Sequence, residues 1–468
     1  MDSASLDLHQ FRTPVLESRS HPSPAVALSP LFRGTVLFLL YVLLVITPAA
    51  VAIRLDPFAV QRPWLTEFSV ALALLAAPII LVQFALVSRL SASARLFGND
   101  ALLHFHRFMG LLALAFVLLH PLLLNITGLP WSAWSPFTGT RAAMSGAISL
   151  WALVLLALTT LFRARARLSY ERWRALHVTL SVVTVVAFFV HVLEVGNYTG
   201  APALRATLGG YVLAFGALLV AYRVVRPLRL RRRPWEIVEL VDEGADTHTL
   251  RLRPVGHDGF RFDPGQFAWL MTGRSPFSRQ QHPITIASSA ERPLGGTIDL
   301  AVKELGDWSR EVVPRLQPGT RVWVDGAFGA FTTERKAGQG FVMIAGGIGI
   351  TPMRSMLLTM RDRGDLRHVQ LIYAARDRSR MPFLAELETL RESLNLDIVE
   401  ILEAPPPDWP GERGILSAEL LERTLPPQVR RYHCFICGPA PMMNLAEELL
   451  MQAGVPGSAI DSERFDIV

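Results

Sequence analysis

The order of apolar and polar positions divides the chain into regions of different periodicity. Up to about residue 225, long apolar stretches alternate with short polar connections. Six stretches are long enough to cross a bilayer, which requires roughly 20 apolar residues per helix. They lie at about 33–53, 67–88, 104–125, 143–162, 173–195 and 205–224. The pattern predicts a six-helix membrane bundle.

After Pro234 the apolar runs are short and alternate with polar residues, as in half-buried strands. The runs WEIVELV, HTLRLRP, FAWLM, TIDLAVKEL and RVWVDG, separated by turn residues, predict a small antiparallel barrel. From about residue 340 buried strand runs (FVMIAGG, VQLIYAARD, YHCFICGP) alternate with helix-like segments such as MRSMLLTMRDRG. That alternation is typical of a doubly wound α/β domain.

We therefore predict a multidomain protein, with a six-helix transmembrane bundle followed by an antiparallel β-barrel domain and an α/β domain. The predicted segments are a disordered cytosolic tail at 1–30, a transmembrane domain at 31–226, a barrel at 234–336 and an α/β domain at 338–468. Residues 1–30 contain Pro and Ser and no apolar segment of the kind found in signal peptides.

Composition and charge agree with a membrane protein. Of 468 residues, 51% are hydrophobic and 18% charged, and the net charge of +6 comes almost wholly from arginine. The arginines collect at the ends of apolar stretches, at 163–167 and 223–233. Positive charge at the ends of membrane helices sets their orientation in the membrane, so we expect no nucleic-acid partner. The same distribution places both termini on the cytosolic side of a bacterial plasma membrane.

Four histidines form two pairs within the apolar stretches. His106 and His120 are fourteen residues apart, and so are His177 and His191. Fourteen residues are close to four helical turns and span about 21 Å, so both histidines of a pair lie on one helix face. The predicted topology places His106 and His177 near the cytosolic side and the other two near the outer side.

Equal spacing at matched depths predicts two stacked bis-histidine haem sites, His106 with His177 and His120 with His191. His104 is an alternative inner ligand, but it lies two residues out of phase with His120. The competing interpretation is that these histidines only hydrogen-bond neighbouring helices. Arg172 and Arg174, in the segment leading into the fifth stretch, would pair with haem propionates or anchor the helix by positive charge.

Glycine-rich and hydroxyl-containing motifs occur in the soluble half. AGGIGITPMRSML (345–357) places Gly346, Gly347 and Gly349 between a strand and a helix, where backbone amides approach phosphates. Thr351 and Pro352 are predicted as the N-cap and first residue of that helix. HPITIASS (282–289) supplies strand amides and Thr285, which suit a flavin ring.

The only two cysteines, Cys434 and Cys437, have C-x-x-C spacing. One interpretation is a redox or metal pair, although no second C-x-x-C is present to complete a zinc site. The other is that Cys434 belongs to an apolar strand and Cys437 ends it at a cofactor crevice, followed by Gly438 and Pro439.

Taken together, these motifs resemble the ferric reductase/NADPH oxidase superfamily, a dihaem membrane domain fused to a ferredoxin-reductase-like flavoprotein. HRFMGLLALAFVLLH and YERWRALHVTLSVVTVVAFFVH resemble its haem helices, HPITIASS its flavin motif, GGIGITP its phosphate loop and CGPAPMM its nicotinamide-side loop. The resemblance extends from about residue 33 to 468. It implies two b-type haems, FAD in the barrel domain and NAD(P)H in the α/β domain.

The resemblance also implies residue roles. Thr285, Cys437 and Phe465 would act at the flavin and nicotinamide, with Phe465 in the C-terminal ERFDIV as a lid. Arg376, after the strand LIYAA, would meet a 2′-phosphate or adenosine, which favours NADPH; a solvated surface arginine is the other interpretation. The remaining implied cofactor-binding residues are His282, Pro283, Ile284, Val302, Lys303 and Ser309 for FAD, and Gly346, Gly347, Gly349, Ile350, Thr351, Pro352, Gly438 and Pro439 for NAD(P)H.

The function implied is transfer of electrons from cytosolic NAD(P)H through FAD and two haems to an outer acceptor. Oxygen, reduced to superoxide, is the expected acceptor, and a ferric chelate, a quinone or a periplasmic protein are alternatives. Leu124 stands one turn beyond His120, where oxidases of the family carry a further histidine, and three residues follow Phe465. A non-catalytic haem or redox-sensing membrane protein is the alternative from another class. The sequence gives no oligomeric state.

Overall fold

Six long helices form the N-terminal part of the computed structural model. It describes residues 30–55, 63–87, 91–196, 199–278, 280–291, 295–334 and 336–465, so all of the predicted tail except Pro30 lies outside the described residues. Each of the six is long and apolar enough to cross a membrane. They are α1 (Pro30–Leu55), α2 (Trp64–Val87), α3 (Ser91–Ile126), α4 (Arg141–Leu161), α5 (Tyr170–Val195) and α6 (Pro202–Val220).

Two of these helices extend beyond their apolar stretches. Helix α3 begins at Ser91, before the predicted stretch at 104. Helix α6 passes through a π-helical turn, Ala221–Val225, into α7 (Arg226–Arg231). Hydropathy located the apolar part of each helix, but backbone hydrogen bonding continues into polar sequence. The α6–α7 extension leads the chain to the soluble half without a flexible loop.

An antiparallel sheet follows, with strand order β4-β3-β6-β1-β2-β5. Its inward-facing residues, including Trp235, Ile237, Leu250 and Leu300, are almost fully buried. The elements of this domain are β1 (Trp235–Asp242), β2 (Thr247–Pro254), β3 (Phe267–Met271), β4 (His282–Thr285), β5 (Ile298–Lys303), β6 (Arg321–Phe328) and the short helix α8 (Asp307–Glu311).

The C-terminal domain is a parallel sheet with strand order β10-β9-β8-β7-β11-β12. Strand β7 is buried along its whole length, because helices cover both faces of the sheet. The elements are β7 (Gly340–Gly346), α9 (Ile350–Arg363), β8 (His368–Ala375), α10 (Leu384–Leu390), β9 (Leu396–Leu402), β10 (Glu412–Arg413), α11 (Ala418–Thr424), β11 (His433–Cys437), α12 (Ala440–Gln452) and β12 (Ile460–Glu463).

The predicted fold class is confirmed: apolar helices, an antiparallel sheet domain and a doubly wound parallel sheet follow one another along the chain. The parallel sheet also defines where a ligand binds. Successive strands β7, β8, β9 and β10 run outward to one side, whereas β11 returns to the other side of β7. Ligands of open α/β sheets bind at the carboxyl ends of the strands flanking such a reversal.

Candidate redox cofactor sites

The four membrane histidines lie on two helices, α3 and α5. The rings of His106 and His177 face each other, with centroids 6.3 Å apart and an interplanar angle of 49°. All four histidine residues are partly buried. Within the described residues, no group of three or more His, Cys, Asp and Glu side chains could hold a metal ion.

The outer histidines each place Nδ1 on a backbone carbonyl of a neighbouring helix. His120 Nδ1 lies 3.0 Å from the Ser69 carbonyl oxygen on α2, and the Ser69 hydroxyl donates to the His120 carbonyl at 2.7 Å. His191 Nδ1 lies 2.7 Å from the Ala142 carbonyl on α4. A carbonyl only accepts, so Nδ1 must carry the proton and Nε2 keeps its lone pair.

The inner histidines contact side chains on the same two helices. The Gln83 side-chain amide nitrogen on α2 donates to His106 Nδ1 at 2.5 Å, so this Nδ1 accepts a hydrogen bond, unlike those of the outer histidines. The Thr160 hydroxyl on α4 lies 3.3 Å from His177 Nδ1. Helix α2 thus contacts the ring nitrogens of α3, and helix α4 those of α5. Metal-ligating histidines are characteristically oriented by such contacts at their second ring nitrogen.

A cavity of about 1870 Å³ joins the inner histidine pair to the soluble half. His106 and His177 line it together with Thr285 and Phe465. Six arginines also line this cavity: Arg107, Arg163, Arg174, Arg223, Arg226 and Arg464. Of the two arginines singled out in the sequence, Arg174 is among them and Arg172 is an exposed residue that is not. The other five were given no cofactor role from the sequence, because the segments that carry them meet only in the fold.

Arg226 connects the membrane helices to the barrel. Its guanidinium lies 2.8 Å from Asp325 on β6, whose side chain is 7% exposed. The same guanidinium lies over the rings of Tyr222 and Phe328. A charge pair shielded from solvent on both sides is costly to break, because separation leaves a buried carboxylate unpaired. This contact fixes the barrel against the cavity.

Two of the predicted flavin residues line the barrel side of the cavity, and the others lie on neighbouring elements of the barrel. Thr285, at the end of β4, is buried and lines the cavity with Pro283. His282 stacks on Trp308 with centroids 3.8 Å apart. Val302 is buried and Lys303 half-buried at the end of β5. The Ser309 hydroxyl accepts hydrogen bonds from the backbone N–H groups of 305 and 306, which caps α8.

The glycine loop lies at the strand reversal, against the turn after β11. A Cβ on Gly349 would lie 2.2 Å from the Cys437 carbonyl oxygen, and Gly347 has φ +53°. No side chain fits at Gly349, so the two turns pack backbone to backbone. A Cβ on Gly347 would lie 3.6 Å from Lys303 Nζ, which brings the loop beside the end of β5.

The helix after the loop begins two residues earlier than predicted. Helix α9 starts at Ile350, so the assignment of Thr351 as N-cap and Pro352 as first residue is wrong. The Thr351 hydroxyl instead donates to the Ile348 carbonyl at 3.0 Å. Tyr373, which sequence reasoning missed, donates to the carbonyls of Gly347 and Pro382. Burial raises the Tyr373 pKa well above its usual value, so this hydroxyl remains a donor.

Arg376 follows β8 at the edge of the sheet that carries the glycine loop. It is exposed, and within the described residues its side chain forms no ion pair. Its neighbour Arg378, in contrast, pairs with Glu388 at 2.8 Å and Glu400 at 3.1 Å. The guanidinium of Arg376 is therefore available to a ligand at this edge.

Cys434 and Cys437 face opposite sides of the sheet. Cys434 packs in the hydrophobic cluster that contains Met443, and Cys437 in the one that contains Ile350. Both are buried free thiols, and burial raises the Cys434 pKa to about 12. Strand residues three apart point in opposite directions, which excludes a C-x-x-C redox or metal pair. Cys437 lies at the crevice beside Gly349.

A buried ion-pair network that sequence reasoning missed joins the barrel to the α/β domain. Arg354 on α9 is 7% exposed and lies 2.6 Å from Glu386. It donates to the Ala287 carbonyl of the barrel at 3.0 Å and lies 3.6 Å from Asp299 on β5. The network holds the two soluble domains in one arrangement around the cofactor crevice.

Three family models match successive parts of the chain. They are the ferric reductase like transmembrane component at residues 69–188, an FAD-binding domain at 237–335 and the oxidoreductase NAD-binding domain at 343–448. These matches and the fold define a membrane-embedded oxidoreductase with FAD- and NAD-binding domains. This order of domains is the architecture of the ferric reductase/NADPH oxidase superfamily.

Individual relatives match only about half of the chain. The reductase subunit of stachydrine N-demethylase from Rhizobium meliloti is 28% identical to this chain. The alignment covers 50% of this chain and 66% of that protein. Ferredoxin–NADP reductase B of Sorangium cellulosum is 29% identical over 54% of this chain and 98% of its own. The flavohaem-like FAD/NAD-binding domain of nitric oxide dioxygenase from Vibrio cholerae is 22% identical, with a TM-score of 0.44 over 50% of this chain and 98% of that domain.

Proposed function

We propose that this chain is a transmembrane oxidoreductase that moves electrons from cytosolic NAD(P)H through FAD and two b-type haems to an acceptor at the outer face. The observation that carries the proposal is the arrangement of the four histidines. The rings of the inner pair face each other between α3 and α5, and helices α2 and α4 contact the Nδ1 atom of all four rings. Nε2 of each outer ring is then free to ligate iron.

The geometry of the inner pair fits one metal ion between two imidazoles. Metal–imidazole bonds of about 2 Å place ring centroids on opposite sides of a metal about 6 Å apart. The observed separation of His106 and His177 is 6.3 Å. A contact between two histidines packed as ordinary core residues would not require this distance. We assign the ligands as His106 with His177 and His120 with His191.

The distribution of positive charge supports our assignment of the cytosolic face of the membrane domain. Arginines occupy the ends of α5 and α6 that lead to the soluble domains, and cytosolic loops carry such an excess. Both termini are therefore placed in the cytosol, in a bacterial plasma membrane. The six arginines lining the cavity would neutralise propionates of the inner haem and phosphates of the flavin.

When bound, FAD and the haems together supply hydride acceptance and single-electron transfer. The residues of the chain bind and orient these groups. Thr285 offers a buried hydroxyl at the flavin position, and Phe465 lies at the same cavity as its lid. The turns at Gly349 and Cys437 form the nucleotide crevice, where backbone N–H groups at the start of α9 attract pyrophosphate.

Oxygen is the acceptor that we propose, with superoxide as product. The outer loop between α3 and α4 is tied to both helices by tryptophan hydrogen bonds. Trp134 Nε1 donates to the Asn125 side chain at 2.7 Å, and Trp151 Nε1 donates to the Trp134 carbonyl at 2.9 Å. A short loop held to both helices supports a small neutral acceptor over a bulky ferric chelate.

Purified, FAD-loaded protein in aerobic buffer tests the acceptor. We expect NADPH oxidation accompanied by reduction of cytochrome c that superoxide dismutase abolishes. Oxidation that proceeds only with added ferric chelate would instead establish the ferric reductase. Absence of NADPH and NADH consumption with oxygen, ferric chelate and quinone would favour a haem sensor and overturn the enzymatic proposal.

Arg376→Ala tests the preference for NADPH. Because a guanidinium–phosphate hydrogen bond is worth about 1.5–3 kcal/mol, we expect KM for NADPH to rise about ten- to a hundredfold. KM for NADH and kcat should change little. Arg391→Ala, also exposed in the same domain, is the matched control. Equal changes with both nucleotides would refute a role at the 2′-phosphate.

A further inference from the structure

A second cavity lies within the membrane domain, away from the histidine pairs. It has a volume of about 360 Å³ and is formed by residues of α1, α2 and α3. Small-molecule pockets begin at about 300 Å³, so it is large enough for one compact ring system. Its lining is apolar except for one hydroxyl and comprises Phe38, Tyr41, Val42, Val45, Ile46, Leu75, Ile79, Phe105, Met109, Leu112 and Phe116.

The one hydroxyl in this lining is that of Tyr41. The Tyr41 oxygen is buried and has no hydrogen-bond partner within the described part of the chain. Its ring meets Phe105 edge to face, with centroids 5.1 Å apart. An O–H group in a hydrocarbon environment without an acceptor costs several kcal/mol. The cavity therefore presents a hydrogen-bond donor that a ligand with an acceptor would satisfy.

The depth of Tyr41 restricts what that ligand can be. Tyr41 lies eleven residues from Pro30 and fourteen from Leu55, or about 17 Å and about 21 Å from the two ends of α1. The ester carbonyls of phospholipids stay in the interfacial regions outside the hydrocarbon core of about 30 Å. An acceptor at this depth must belong to a molecule whose polar group moves within the hydrocarbon core.

We propose that this cavity binds the ring of a membrane-soluble quinone, with a ring carbonyl accepting a hydrogen bond from Tyr41. Phe38, Phe105 and Phe116 offer aromatic faces and edges to a planar ring. The cavity also opens toward the lipid, where Phe38 is 58% exposed, so an isoprenoid tail would leave along that side. The proposal concerns binding and does not depend on the haem assignment.

Photolabelling of the full-length protein in phospholipid nanodiscs tests the proposal. The probe is an azido-ubiquinone, decylubiquinone is the competitor, and labelled peptides are mapped by mass spectrometry. We expect saturable labelling on α1–α3. In Tyr41→Phe the concentration of decylubiquinone for half-maximal competition should rise about three- to tenfold, as expected for one lost hydrogen bond. Val45→Phe, which fills the cavity, should abolish the labelling.

Tyr211→Phe is the matched control. Tyr211 is also a membrane tyrosine, but its hydroxyl donates to the Leu44 carbonyl at 2.7 Å, so its removal should leave quinone competition unchanged. Haem and flavin contents equal to those of the parent chain would show that each variant is folded. Labelling outside α1–α3, labelling displaced by phospholipid alone, or identical competition in Tyr41→Phe and the parent chain would overturn the proposal.

Discussion

His106→Ala is expected to remove the inner haem and stop electron flow to the outer face. Alanine cannot ligate iron, and His177 alone would leave the facing position open. Because loss of even an outer contact of a metal ligand costs about 10–100-fold, we expect outer-face reduction to fall by at least about a hundredfold. The haem-to-protein ratio and the reduced-minus-oxidised spectrum measure the loss. NADPH reduction of an artificial acceptor at the flavin should persist.

His104→Ala is the matched control for this substitution. His104 is exposed and borders the same cavity, two residues from His106 on α3. It should retain both haems and full activity. Loss of one haem in His104→Ala, with an unchanged spectrum in His106→Ala, would reassign the inner ligand. Unchanged haem content in both variants would refute haem ligation by this part of α3.

Gly349→Ala is expected to abolish productive use of NAD(P)H. The added Cβ would lie 2.2 Å from the Cys437 carbonyl oxygen, so the two turns must move apart. Overpacking of this kind costs about 1–3 kcal/mol in the free energy of unfolding. Displacement of the nucleotide by about 1 Å lowers the rate of hydride transfer about a hundredfold. Stopped-flow flavin reduction by NADPH measures the effect.

Gly457→Ala provides the comparison within the same domain. A Cβ at Gly457 meets no atom within 4 Å, so thermal stability and flavin reduction should match those of the parent chain. Haem content should be unaffected in both glycine variants. A Gly349→Ala protein that reduces its flavin at the parent rate would show that the close approach of the two turns is not needed for nucleotide binding.

Much of the architecture could be predicted because each region has its own periodicity. Three patterns differ along the chain: apolar stretches of membrane length, short alternating runs and continuous buried runs. The structure contains the corresponding long helices, antiparallel strands and parallel strands. The pairing of the four histidines could also be predicted, because equal spacing on two helices is visible in the sequence without knowledge of side-chain contacts. Local helix limits were less predictable: Thr351 and Pro352 have the residue types of a helix start, yet α9 begins at Ile350.

The contacts that support the site could not be read from the sequence. Ser69 and Ala142 are 51 and 49 residues from the histidines that they orient, and Ala142 acts through its backbone carbonyl. Arg354 resembles an ordinary helix arginine until the fold places Glu386 and the barrel around it. Arg172 and Arg174 are equivalent in sequence, and only helix rotation decides which one lines the cavity. Such assignments depend on tertiary geometry, which local patterns do not encode.

The buried pair between Arg226 and Asp325 has a kinetic consequence. A diffusing reductase must find its partner in each cycle, and such encounters weaken as salt screens charges beyond a Debye length of about 10 Å at 0.1 M. Here the barrel is covalently continuous with α6 and held by a charge pair whose carboxylate is 7% exposed. In the proposed function, delivery of electrons from the barrel to the membrane helices is therefore expected to be first order, independent of dilution and insensitive to ionic strength.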